Sequence, residues 1–159
     1  MSEQKSNAKK KALFICLGNI CRSPIAEGVF QKTVADMNVT DQWEIDSAAI
    51  GSWHVGNPPD WRAIDTMKRH GVPYNNCARQ IVAEDFHNFD YIFGMDEANM
   101  KDLKRKAPKD CKAKTATFLV ILIRKEIDLS ETHIMIATVK DLKNAINNQL
   151  GAPKDFYKV

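Results

Sequence analysis

The sequence predicts an α/β fold built on a four-stranded parallel sheet, and three observations lead there. Short apolar runs of strand length alternate with segments of helical period. The first apolar run passes straight into a glycine-containing loop and then into a proline-led helix. The 159 residues, 44% hydrophobic and 27% charged, suit one soluble domain able to bury a core without staples.

Residues 1–10 (MSEQKSNAKK) are polar and basic and read as a flexible tail before a single domain over 11–159. ALFICL, at 12–17, is a buried strand. Helical spacing follows through Ile25, Val29, Val34 and Met37, with Ser23 expected as N-cap and Pro24 at the first helical position, where a missing N–H costs nothing. WEIDSAAI, at 43–50, is a second strand, and 51–59 is a loop rich in Gly, Asn and Pro. Residues 60–70 read as a helix stopped by Gly71. An irregular segment is followed by a short apolar-polar stretch at 82–89, YIFGM at 91–95 is a third strand, and DEANMKDLKRK at 96–106 is a helix ended by Pro108. FLVILI at 118–123 supplies the fourth strand and 138–150 a last helix, with Val139, Leu142, Ala145, Ile146 and Leu150 on one stripe.

A formal net charge of +3, spread along the chain, argues against a nucleic-acid partner and suits a small anionic substrate. The longest apolar run is six residues, far short of the roughly 20 that span a membrane. With no export signal in the polar start, the expected location is cytoplasmic, with no membrane partner. Cys16, Cys21, Cys77 and Cys111 are then expected as free thiols. Cys16 and Cys21 lack a second close ligand pair, so neither a metal nor a cofactor is expected.

The loop after the first strand is CLGNICRSP, residues 16–24. In an open α/β sheet, ligands bind beyond the carboxyl ends of the strands, where this loop lies. The backbone N–H groups of Leu17, Gly18, Asn19, Ile20, Cys21 and Arg22 are expected to converge on one anion, with Gly18 free to take unusual dihedrals and the helix adding its positive end. Cys16 stands at the entrance, where these groups and Arg22 favour a thiolate over a thiol of ordinary pKa, about 8.5. Arg22 can hold two phosphoryl oxygens at once. Attack of the thiolate on phosphorus, then hydrolysis of the cysteinyl-phosphate, makes a coherent cycle.

From residue 12 to about 114 the chain resembles the low-molecular-weight protein tyrosine phosphatases. The matching segments are CLGNICRSPIAE, DSA at 46–48, GNPPD at 56–60, MKRHG, ARQI, FDYI and MDEAN, in the family's order. The resemblance implies a three-layer sandwich of the phosphotyrosine protein phosphatase I type, acting on phosphotyrosine proteins or small phosphate monoesters as a monomer or weak dimer. It implies Cys16 as nucleophile, Arg22 as phosphate clamp, Asn19, Ser23 and Ser47 as supports of the loop, and Trp53 as a wall of the cleft. Cys21 either pairs reversibly with Cys16 or fills a small apolar space. Asn76 stands where the family usually carries a histidine that joins the loop network.

A tyrosine leaving group, of pKa about 10, calls for a general acid. The family's acid lies in an Asp-Pro-Tyr-Tyr motif that this sequence lacks, and from about residue 115 the resemblance stops. A single shift of reading frame recovers what is missing. Joining the last base of each codon to the next two permits Leu-Phe-Gly-Asn-Ser-Asp-Pro across 117–124 and Asp-Pro-Tyr-Tyr-Asp across 131–136. The general acid is therefore unknown, and neither Asp128 nor Glu131 is placed by any motif. The alternatives to an impaired phosphatase are a non-catalytic phosphate or phosphotyrosine binder and, more remotely, an arsenate reductase. The latter needs resolving cysteines, and Cys77 and Cys111 have no neighbouring pair.

Overall fold

A computed structural model describes residues 8–117 of the chain. Its order is β1 (Lys10–Cys16), α1 (Arg22–Asp36), β2 (Trp43–Ala49), α2 (Trp61–Arg69), α3 (Asp85–Asn88), β3 (Tyr91–Gly94), α4 (Glu97–Lys106) and β4 (Lys114–Thr117). The strands lie in the order β2-β1-β3-β4, every pairing parallel. Ala12, in central β1, faces Ile45 on one side and Tyr91 on the other.

A parallel sheet needs cover on both faces, and alternation along β1 divides its side chains accordingly. Phe14 and Cys16 point to the face covered by α1, where Phe14 packs on Phe30 with ring centroids 5.6 Å apart and on Phe93 at 5.4 Å. Leu13 and Ile15 point to the other, with Ile92, Phe86 of α3 and Leu103 of α4. Helices on both sides of the sheet make three layers. Each fully buried Leu, Ile or Phe contributes about 1.5–3 kcal/mol of transfer free energy. A third cluster, Val29, Ala63, Met67 and Val72, seats α2 against α1.

Several expectations need correction. Lys10, read as the last residue of the tail, is the first of β1, opposite Trp43. Helix α1 begins at Arg22, with Cys21 as its N-cap and no side-chain cap. Ser23 is thus the second helical residue, its hydroxyl committed to the loop, and Pro24 is the third, still among the first-turn positions whose N–H has no helical partner. Residues 85–88, within the apolar-polar stretch to which the sequence assigns no element, form the single turn α3, anchored by buried Phe86. The fourth strand within the described residues is Lys114–Thr117, pairing with β3, whereas the strand predicted at 118–123 and the helix at 138–150 lie outside them.

Other boundaries follow the local chemistry. Asp60 caps α2 by accepting from the Arg62 N–H at 2.9 Å, and Gly71 takes φ +66° just beyond its end. Asp96 caps α4 by accepting from the Asn99 N–H at 2.7 Å. None of the described helices is long and apolar enough to cross a membrane.

Candidate active site

Strand β1 delivers Cys16, 4% exposed, to the carboxyl end of the sheet, and α1 begins six residues later at Arg22. Both ends of the intervening loop are tied down. The Ile50 and Gly51 N–H groups donate to the carbonyls of Cys16 and Leu17, each at 3.0 Å, and the Asp60 N–H donates to the Ile20 carbonyl at 2.7 Å.

The residue with unusual backbone is Asn19, at φ +54°, and not Gly18. Asparagine tolerates the left-handed region better than most side chains. Gly18 is required for a different reason: a Cβ there would meet Cδ2 of His54 at 2.9 Å. The 51–57 loop therefore packs directly on the Cys16 loop. Within it the Trp53 ring lies over Gly51, where a Cβ would overlap it. Trp53 is 69% exposed and stands among the exposed apolar side chains with Leu17 and Val55.

The Asn19 N–H donates to Cys16 Sγ at 3.3 Å, and Ser23 Oγ lies 3.0 Å from the same sulfur. Asn19 holds the loop from inside. Its side-chain Nδ2 donates to Ser23 Oγ and to Ser47 Oγ, both at 2.9 Å, and its Oδ1 accepts from the Arg79 N–H at 3.1 Å. Asn19, Ser23 and Ser47 are buried, so this network is shielded from competing water. The structure thus brings together four residues singled out from sequence: Cys16, Asn19, Ser23 and Ser47.

Arg22 opens α1, and its Nη1 donates to Asp96 Oδ2 at 2.5 Å. Burial pushes the Asp96 carboxyl up, but the Arg22 hydrogen bond, the Asn99 and Ala98 N–H groups and the Arg22 charge outweigh it and hold it below the ordinary aspartate value. Arg22 is thereby anchored to the cap of α4. Cys21, like Cys16, is a free thiol. Burial of its sulfur, then the nearness of Cys16 and Asp60, pushes the Cys21 thiol up, against the opposing pull of Arg62 and Arg22.

Sequence reasoning missed an outer ring. Ser47 Oγ donates to Glu27 Oε2 at 2.5 Å, and the Tyr74 hydroxyl donates to the same oxygen at 2.6 Å. Asn76 donates to Glu27 Oε1 at 3.3 Å and to Asp46 Oδ1 at 3.1 Å, so the departure at 76 still joins the network. Arg79 binds Asp46 through Nε at 2.9 Å and Asp85 through both Nη atoms at 2.9 and 3.1 Å. Burial is the first cause that pushes Glu27 up, with Asp46 adding, against hydrogen bonds from Ser47, Tyr74 and Asn76. The signals were present: Glu27 interrupts an otherwise apolar stretch of α1, and Arg79 and Asp96 lie in the ARQI and MDEAN segments. Asp128 and Glu131 lie outside the described residues.

A sequence model described as "Low molecular weight phosphotyrosine protein phosphatase" matches residues 11–149. The human protein of that name is 57% identical over 116 residues, 72% of this chain and 72% of its own length. The Rattus norvegicus protein is 60% identical over 107 residues, 66% of this chain and 68% of its own. The crystal structure of Primo-1 superposes with a TM-score of 0.76 at 42% identity, covering 89% of this chain and 99% of that one. With its strand, loop and helix in this arrangement and a match spanning most of its length, the chain belongs to the low molecular weight phosphotyrosine protein phosphatase family of enzymes.

Proposed function

We propose that the chain hydrolyses phosphotyrosine proteins and small aryl phosphates through a cysteinyl-phosphate, at a rate lowered by the absence of the family's proton donor. The observation that carries this reading is the sulfur of Cys16, seated at a strand end with the Asn19 N–H and Ser23 Oγ on it and Arg22 opening the next helix. Cys16 Sγ, as a thiolate, attacks phosphorus. The S–P bond forms, the bond from phosphorus to the aryl oxygen breaks, and the phenolate takes its proton from solvent. Water then attacks the cysteinyl-phosphate, the S–P bond breaks, and phosphate leaves with the thiolate restored. The inward N–H groups of residues 17–22 and the Arg22 guanidinium bind the phosphoryl oxygens. Asn19, Ser23 and Ser47 hold the loop, and Trp53, exposed beside it, forms a wall for the aromatic ring.

The missing acid favours a second reading, a phosphotyrosine binder without turnover, and one comparison separates the two. Without a general acid the rate falls by about 10² to 10⁴, more for a poor leaving group than for a good one. Turnover of p-nitrophenyl phosphate is therefore expected to exceed that of a phosphotyrosine peptide by a wide margin, and Cys16→Ser is expected to abolish both. Binding of vanadate with no turnover of either substrate would establish the binder instead. Turnover that survives Cys16→Ser would refute the nucleophile.

A further inference from the structure

A single line of hydrogen bonds leads away from the nucleophile into the core. It runs from Cys16 Sγ to Ser23 Oγ, Asn19 Nδ2, Ser47 Oγ, Glu27 Oε2 and the Tyr74 hydroxyl, with separations of 3.0, 2.9, 2.9, 2.5 and 2.6 Å. Resting on the catalytic reading above, we propose that Tyr74 is a positioning residue: its hydroxyl holds Glu27 as the acceptor that keeps the Ser47 proton directed away from Asn19.

The direction can be worked out from the ends. The Arg79 backbone N–H can only donate, so it fixes Asn19 Oδ1 toward itself and Nδ2 toward the two serines. Both Nδ2 protons are then spent on serine oxygens, and each serine has one proton left to give. Ser23 gives its proton to the Cys16 sulfur, and Ser47 gives its proton to Glu27. Ser47 must keep pointing outward, because a Ser47 proton turned inward would oppose that of Asn19.

Glu27 Oε2 is what draws the Ser47 proton outward, and Tyr74 is the other donor within 3 Å of that oxygen. The carboxyl is 2% exposed, and its donors are neutral: Ser47 and Tyr74 on Oε2, with Asn76 and Gln31 each at 3.3 Å on Oε1. The Asp46 carboxylate, engaged by Arg79 and Asn76, faces the same cluster and opposes a second negative charge there. A buried carboxylate in this setting depends on each donor it has. Without the Tyr74 hydroxyl, Glu27 takes up a proton more readily and donates to Ser47 instead of accepting from it. Ser47 Oγ then accepts from both Glu27 and Asn19 while its own proton loses its acceptor and crowds the Asn19 amide, which loosens the hold of Asn19 on Ser23 and weakens the Ser23 donation to Cys16.

The test reads the thiol itself and does not depend on turnover. Alkylation of Cys16 by iodoacetate, resolved by peptide mass, is followed against pH in the unaltered chain, Tyr74→Phe, Glu27→Gln and the double variant, beside thermal melts. Tyr74→Phe is expected to move the Cys16 titration to higher pH and slow alkylation at neutral pH by about threefold to tenfold, tenfold corresponding to one pKa unit. Glu27→Gln is expected to act in the same direction, and the double variant to lose less than the sum. A Tyr74→Phe profile that superimposes on the unaltered one overturns the inference, as do additive losses in the double variant. If the unaltered chain alkylates at Cys16 yet never turns over p-nitrophenyl phosphate, the catalytic reading falls, while the comparison of profiles still decides the role of Tyr74.

Discussion

At the scale of the residue, the Arg22–Asp96 pair shows how a guanidinium is held in place by a helix cap. Asp96 serves twice, accepting from Arg22 with Oδ2 and from the Asn99 N–H with Oδ1. Its carboxyl is held below the ordinary aspartate value of 3.8, so the sign of its pH effect is fixed. A depressed pKa gives stability that is fully present above 3.8 and is lost as the pH falls through the lower folded value. The gap in melting temperature between Asp96→Asn and the unaltered chain is therefore expected to be full near neutral pH and to shrink below about pH 3.8. It will be modest, because both side chains are partly exposed to solvent. A gap that stays constant with pH would show that the ion pair contributes nothing. At this scale sequence reasoning singled out Cys16, Arg22, Asn19, Ser23 and Ser47, of which the fold joins Cys16, Asn19, Ser23 and Ser47 in one network, but it misassigned the backbone. The strained position is Asn19, and glycine at 18 answers to His54, a neighbour 36 positions away that local pattern does not reveal.

At the scale of the element, the same helix end serves both packing and the site. The second helical residue of α1, Ser23, reaches the sulfur, while Ala26 and Phe30 on the same helix close one face of the sheet. Phe30→Ala is expected to cost about 3–5 kcal/mol in denaturant unfolding, since it opens a cavity between Phe14 and Trp43. A loss under 1 kcal/mol would mean that this face repacks freely. Most elements were legible because hydrophobic period, caps and stops agree: Asp60 and Gly71 bracket α2, and Asp96 and Pro108 bracket α4. The start of α1 was not, because Ser23 has the chemistry of a cap but its hydroxyl is taken by Asn19 and Cys16. Helix α3 was not legible either, since one turn has no period to read.

At the scale of the whole molecule, the CLGNICRSP loop lies in the first half of the sequence, and the Asp-Pro-Tyr-Tyr motif that the family resemblance leads one to expect in the second half is absent. The codons from about 115 onward permit Asp-Pro-Tyr-Tyr in the shifted frame, and a chain carrying that reading restores the motif. It is expected to hydrolyse phosphotyrosine peptide about 10² to 10⁴ faster than the present one, with a smaller gain on p-nitrophenyl phosphate. Equal kcat values for the two chains on the peptide would refute the assignment of the missing acid. The sequence by itself determined the parallel α/β class, the first three strands and the loop between the first strand and its helix, because each is written in short-range pattern: apolar runs, caps, and a cysteine and arginine on one loop. The tertiary structure alone decided the outer ring of Glu27, Tyr74 and Arg79, and the partners that Asn76 has within it. Those residues lie up to 63 positions from Cys16 and acquire a role only when the sheet and helices fold them around one buried carboxylate and one buried amide. Hydrogen bonds in a dry core depend on proximity in space, and no local pattern in the sequence records it.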